Sequence, residues 1–325
     1  MASEASEPIL DVAHLAHVEL LTPDPDGTLA FFTQMLGMCE SGRDGRSVFL
    51  RGYEERYFHS LQITEARAPG LGHAAWRSRS AAALERRVAA ISASGLGDGW
   101  REGDTGHGPA YRFHTPDGHV MELFWGVDYA EPRDGEATPL LNRPSRRPRT
   151  GVPVRRLDHI NLMTADTRSC RDVLVDLLGF RERERAETPD GTPVASWLSV
   201  TNLSHDIGLV PEPTNARGRF HHACFHYTSA QHLFDVVELA RESGYRVEHG
   251  PGRHGIGGAT FLYLVEPGGN RIELMGDPGY MIFDPDWRTV VWSGPDIFEV
   301  GAVWAGSPLP DSFWTEGTPP TPMPG

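Results

Sequence analysis

Residues 157–180 read LDHINLMTADTRSCRDVLVDLLGF, and residues 15–38 read LAHVELLTPDPDGTLAFFTQMLGM. Each stretch opens with a short alternating apolar segment that carries a histidine. Each then passes into a helical apolar period and closes on Leu-Gly followed by an apolar residue. The step from His17 to Gly37 equals the step from His159 to Gly179. The pattern predicts a strand, a helix and a glycine that ends the helix. Self-similarity over such a distance marks an internal repeat, and a repeat constrains architecture more than any single residue does.

Working outward, a second unit follows in each half. GHAAW (Gly72 to Trp76) and HHACF (His221 to Phe225) each precede a helical pattern, and His73 to Gly95 matches His222 to Gly244 in length. TPDGHVMELFW (Thr115 to Trp125) and EPGGNRIELMG (Glu266 to Gly276) then read as a Pro/Gly turn followed by a strand carrying a glutamate. The expected fold is α+β, with four βαβββ modules paired into two similar domains. These span residues 13–128 and 154–280. A Pro- and Arg-rich linker covers 129–153. The Trp-, Pro- and Gly-rich tail, 281–325, is expected to pack near the site of the second domain.

The chain has 325 residues and a formal charge of −14. The only basic block is RPSRRPRT (Arg143 to Thr150), read as linker, so no nucleic-acid footprint is expected. No apolar run reaches membrane length, and the acidic start MASEASEPIL does not read as a secretory signal. All 30 basic residues are arginine, which removes lysine Schiff-base and P-loop chemistry. Cys39, Cys170 and Cys224 are scattered without a CxxC, as suits a cytoplasmic protein. Fifteen histidines point instead to metal or acid–base chemistry.

In the second domain each repeat places a ligand-type side chain on a strand. His159 shares a strand face with Leu157 and Asn161, His222 with Cys224 and His226, and Glu273 with Arg271 and Met275. A carboxylate delivered to an apolar interior needs a partner. Two histidines and one carboxylate on separate strands suit a metal centre of the non-haem Fe(II) kind, and the same N and O donors suit Mn(II).

Glu273 also closes a longer pattern. Gly252, His254, Leu262, Tyr263, Glu266, Pro267, Gly269 and Glu273 follow in order and spacing the signature of a known family. The chain resembles the type I extradiol ring-cleavage dioxygenases, catechol 2,3-dioxygenase-like members of the vicinal-oxygen-chelate (glyoxalase-like) superfamily. The resemblance runs over both domains. It implies Fe(II) on His159, His222 and Glu273, with His222 rather than His221 chosen because the repeat aligns it with His73. It implies His205 as acid–base catalyst, and His254 and Tyr263 as hydrogen-bonding partners of the substrate and its oxygenated intermediate. Asn161 and Trp197 match pocket positions. The implied reaction is extradiol cleavage of a catechol by O2 to a 2-hydroxymuconic semialdehyde-type product, in a homo-oligomer that is a tetramer by resemblance.

His17, His73 and Glu122 repeat the ligand positions in the first domain, and His59 repeats His205. There, however, Arg112 stands at the position of Tyr263, so a first domain without an active metal is expected. Relatives acting on carboxylated catechols place arginines near the metal. Here His249, five residues before His254 and expected to bind substrate, and the arginine-free stretch DIFEVGAVW (Asp296 to Trp304) stand instead, so the resemblance implies a neutral catechol. The same fold also serves glyoxalase- and isomerase-like metalloenzymes and non-enzymatic small-molecule-binding proteins. The metal triad argues against a metal-free binder. The ring of His205, His254 and Tyr263 argues against the isomerases.

Overall fold

A computed structural model describes residues 7–294 and 297–321. Its architecture is α+β, built on two sheets with the same strand order. In the first, of eight strands, the order is Cys39–Asp44, Ser47–Arg51, Leu61–Glu65, Val12–Thr22, Gly70–Ser78, Val120–Phe124, Ala110–His114, Gly97–Arg101. The second repeats this as Arg181–Glu187, Pro193–Ser199, Ile207–Pro211, Arg156–Thr164, Phe220–His226, Arg271–Met275, Thr260–Val265, Arg246–Arg253. The first strand of each half lies at the centre. It runs parallel to the fourth strand of its half and antiparallel to the fifth. In chain order this gives the βαβββ module four times.

The repeat ends as the sequence demands. Gly37, Gly95, Gly179 and Gly244 all adopt positive φ, between 57° and 79°. That region penalises a side chain, which explains a glycine at the end of each helical segment. Ser80 and Asp166 cap the helices Ala81–Ser94 and Thr167–Leu178 by accepting from Ala83 N and Ser169 N. The first helix departs from expectation. It is α-helical only over Pro25–Ala30 and widens to a π-turn over Phe31–Met35. The wider turn brings Phe31, Phe32 and Met35 all into the core.

One apolar cluster runs through both halves. Trp76 of the first half meets Phe180 of the second edge-on at 4.9 Å, and Phe32 meets Phe225 at 5.7 Å. Edge-on aromatic pairs add about 0.5–1.5 kcal/mol beyond their buried area. The turns before the glutamate strands also dock reciprocally. Glu266 accepts from Thr28 Oγ1 (2.6 Å) across the junction while binding Gly268 N and Asn270 N of its own turn. In the equivalent turn of the first half, His119 Nε2 donates to Arg219 O at 2.9 Å.

The tail adds what the repeat does not contain. Val290–Ser293 joins the second sheet as a ninth strand, parallel to Arg181–Glu187. Beyond it the chain crosses back, pairing Ala305 with Arg253 and Thr318 with Phe220. The buried pair Arg271–Glu248 holds this return, because Arg271 also donates to Glu316 O and Ser312 O. Among the described residues no helix is long and apolar enough to cross a membrane.

Candidate active site

The site is laid out by strand register. Tyr263 lies opposite Glu273, Glu273 opposite Cys224, Cys224 opposite His159, and His222 opposite Asn161. Neighbouring strands therefore carry four polar side chains in one row across the sheet, with His222 and Asn161 paired beside it. Gly208 pairs with Asn161, and a Cβ there would come within 2.6 Å of the Asn161 amide, so a glycine leaves room for it.

Three donor atoms converge. His159 Nε2 is 3.0 Å from Glu273 Oε2, His222 Nε2 is 2.9 Å from the same oxygen, and the two nitrogens are 3.3 Å apart. All three residues are buried. The electrostatics describe a site made for a cation. Burial disfavours charge on His159, yet Asp158 and Glu273 outweigh it and lift the ring to about 9. Burial holds His222 down to about 4. Burial would raise Glu273, but His222 and His159 keep it well below the usual carboxylate range. A buried carboxylate that stays ionised between two imidazoles fits a divalent ion, so the residues present fit the metal that the signature implies.

The nitrogens that face away from this centre are held by partners absent from the sequence reading. Asp158 accepts from His159 Nδ1 at 3.0 Å, and Arg156 anchors Asp158. His222 Nδ1 meets His221 Nδ1 at 2.6 Å, and His221 Nε2 donates to Phe313 O at 2.8 Å. His221 is the extra residue of a β-bulge between Phe220 and His222, which is why it contacts its neighbour instead of facing away. Adjacency to a ligand was the available signal for Asp158 and His221. The Cys224 thiol also lies within 4.8 Å of the His159 and Glu273 donors, close to the centre rather than merely on the same strand face.

The other expected residues surround this centre. The His205 ring packs 4.2 Å from that of His159, with Nδ1 3.2 Å from Ser204 Oγ. Burial, then the charge on His159, lowers its pKa well below the usual value, so the ring is neutral. His254 Nε2 is 3.0 Å from Tyr263 Oη and 3.4 Å from Glu273 Oε1, while its Nδ1 donates to Ala302 O of the tail. Asn161 and Trp197 line the cavity, and Asn161 Oδ1 is buried without a hydrogen-bond partner among the described residues. His249 is not brought to the site. Its Nε2 is engaged by Ser307 O, and it stacks on Phe261, whose ring lies against His254.

The cavity has a volume of about 300 Å3. Around the polar floor its walls are apolar, with Ala186, Val194, Val210, Ile297, Leu309 and Trp314 among them, and among the described residues no arginine lines it. Asp296 of the tail stretch lies outside the described residues.

Known proteins are similar to this chain in sequence and fold. The family model for the Glyoxalase/Bleomycin resistance protein/Dioxygenase superfamily matches residues 156–274. The chain is 50% identical to a metapyrocatechase of Geobacillus stearothermophilus, over 99% of this chain and 98% of that protein. It is 33% identical to a manganese-dependent 2,3-dihydroxybiphenyl 1,2-dioxygenase of Geobacillus genomosp. 3, over 91% and 94%. The crystal structure of homoprotocatechuate 2,3-dioxygenase from Arthrobacter globiformis superposes with a TM-score of 0.84 at 28% identity, covering 96% of this chain and 94% of that one.

Proposed function

The chain belongs to the extradiol ring-cleaving dioxygenases of the glyoxalase, bleomycin resistance and dioxygenase superfamily, and we propose that it opens neutral catechols at an Fe(II) held by His159, His222 and Glu273. It is an enzyme that cleaves a catechol ring beside the diol with O2, and it depends on a metal. The reaction balances with both oxygen atoms retained: one catechol and one O2 give one hydroxymuconic semialdehyde-type product.

One observation carries the assignment of residues. Two imidazole nitrogens and one carboxylate oxygen lie within 3.3 Å of each other at the floor of an apolar cavity. A bound Fe(II) supplies a common anchor for the diol and O2 and a route for electrons between them; Mn(II) suits the same donors.

The chain's own side chains do the rest. Asn161 Oδ1, buried and unpaired, accepts a hydrogen bond from a hydroxyl of the catechol. Neutral His205 takes a proton from the substrate and returns it when the ring opens. Because Ala302 O fixes the proton of His254 on Nδ1, His254 Nε2 accepts from Tyr263 Oη. That pairing turns the phenol oxygen of Tyr263 into an oriented partner on the opposite side of the centre from His205. Trp197 and the apolar walls seat the ring and exclude water. A carboxylated substrate would find no arginine there, whereas an alkyl or aryl substituent would bury apolar area at about 25 cal/mol per Å2. The same family reading gives a cytoplasmic homo-oligomer, a tetramer by resemblance.

The test is anaerobic reconstitution with Fe(II) or Mn(II), followed by catechol, 3-methylcatechol or a carboxymethyl catechol in air. Yellow product with equal O2 uptake is expected for the neutral substrates with Fe(II), and its loss in His222→Ala. Faster turnover of the carboxymethyl catechol would overturn the substrate class. Activation by Mn(II) alone would overturn the metal.

A further inference from the structure

The first half keeps a second donor cluster that ring cleavage does not use. His17 Nε2 and His73 Nε2 are 3.0 Å apart, and Glu122 Oε2 is 3.7 Å from His73 Nε2. The three residues are 2%, 2% and 3% exposed. Each stands at the repeat position of a ligand in the second half, and His59 packs 4.3 Å from His17 as His205 packs 4.2 Å from His159. Both nitrogens of His59 are buried without a hydrogen-bond partner among the described residues.

The orientation of His73 is built by its own set of residues. Its Nδ1 donates to Glu19 Oε2 at 2.9 Å, which leaves the Nε2 lone pair directed at His17 and Glu122. Thr64 Oγ1 (2.6 Å) and Gln62 Nε2 (3.1 Å) hold the other oxygen of Glu19. The bulge that carries His221 in the second half carries Gly72 here. A Cβ on Gly72 would lie 2.1 Å from Glu19 Oε2, so the missing side chain is what admits the carboxylate. A carboxylate that fixes the far nitrogen of a histidine is the usual outer shell of a metal ligand.

From this geometry we propose that His17, His73 and Glu122 hold a second metal ion, a divalent transition metal of the zinc type, in a closed site that does no ring cleavage. The closure has named causes. Arg112 lies opposite Glu122 in register, where Tyr263 lies opposite Glu273, and it binds Glu122 Oε1. The rings of His59, His107 and Phe124 pack around His17. Glu122 Oε2 and two imidazoles remain for the ion, with the His59 ring packed against His17 beside them. Zinc accepts both imidazole nitrogen and carboxylate oxygen, and a closed rather than open remaining position is what separates a structural from a catalytic site. Such an ion ties together three strands, Val12–Thr22, Gly70–Ser78 and Val120–Phe124.

The full chain is loaded with excess Zn(II), or with Co(II) as an optical probe, freed of loose metal by gel filtration and assayed for metal by mass spectrometry. Two ions per chain are expected. The double variant His17→Gln, His73→Gln loses one ion and keeps its ring-cleavage rate after Fe(II) activation. His222→Ala loses the other ion, retains one with a Co(II) ligand-field spectrum, and gives the answer should the double variant fail to fold. One ion in the unmodified chain, two surviving in the double variant, or none in His222→Ala would overturn the proposal.

Discussion

The backbone carbonyl of Phe313 accepts a hydrogen bond from His221 Nε2 at 2.8 Å, and this contact decides the tautomer of His222. With its proton on Nε2, His221 presents a bare Nδ1, so His222 must donate from its own Nδ1 and keep a free Nε2. Burial, reinforced by Arg271, keeps His221 far below its ordinary pKa and therefore neutral.

His221→Phe removes that acceptor without touching a ligand. Outer-shell losses of this kind typically cost about 10–100-fold in metal affinity. The Fe(II) dissociation constant should rise by that factor while the turnover rate per bound iron falls less. An unchanged dissociation constant would show that the tautomer of His222 is set in some other way.

His205→Gln keeps a polar side chain of similar reach but cannot shuttle a proton. General acid–base groups contribute about 10^2–10^4-fold to rate. A fall in kcat of that size, with iron content intact, is expected. A drop in kcat/KM caused only by KM would place His205 in binding instead of proton transfer.

Glu248 supplies a pH signature for the tail. Burial alone would raise its pKa, but the hydrogen bond and charge of Arg271 win, so the folded value lies below the unfolded one. The stabilisation is therefore complete above about pH 4.5 and is lost as pH falls through the folded value. Removing one partner of a buried ion pair costs about 3–5 kcal/mol. Glu248→Gln should lower stability in urea at pH 7 and flatten its decline below pH 4.5. It should also make the tail more open to proteases, since Ser312 donates to the same carboxylate.

Thr28→Val cuts the bond to Glu266 between the halves. A hydrogen bond to a charged group contributes about 1.5–3 kcal/mol. Equilibrium unfolding should stay a single transition with a lower midpoint, since the aromatic contacts of Trp76 and Phe32 still join the two cores. Two separated transitions would mean that the Thr28 bond, not the shared core, couples the halves.

Much of this was legible in the sequence because the repeat compares the chain with itself. Equal spacings around His17 and His159, or His73 and His222, report strand register, and register brings His159, His222 and Glu273 together. The signature from Gly252 to Glu273 added His254 and Tyr263. What stayed hidden depends on backbone atoms and on irregularities. Carbonyls such as Phe313 O and Ala302 O leave no mark on residue type. The bulge at His221 breaks the two-residue period from which faces are read, and the π-turn at Phe31–Met35 breaks the helical one. His249 rests on resemblance and its distance from His254, and neither reveals that Ser307 O engages its ring.

The reciprocal seating of the two turns bears on how the chain could be divided. Glu266 reaches Thr28, and His119 reaches Arg219, so each half supplies a closing contact for the other. None of these bonds passes through the linker, where Leu141 is 95% exposed. A backbone nick at Leu141 leaves the interlocked surfaces whole. Two fragments expressed together should then recombine into one catalytic particle by complementation, whereas the second fragment alone, though it carries His159, His222 and Glu273, would lack the surface on which its own turn closes.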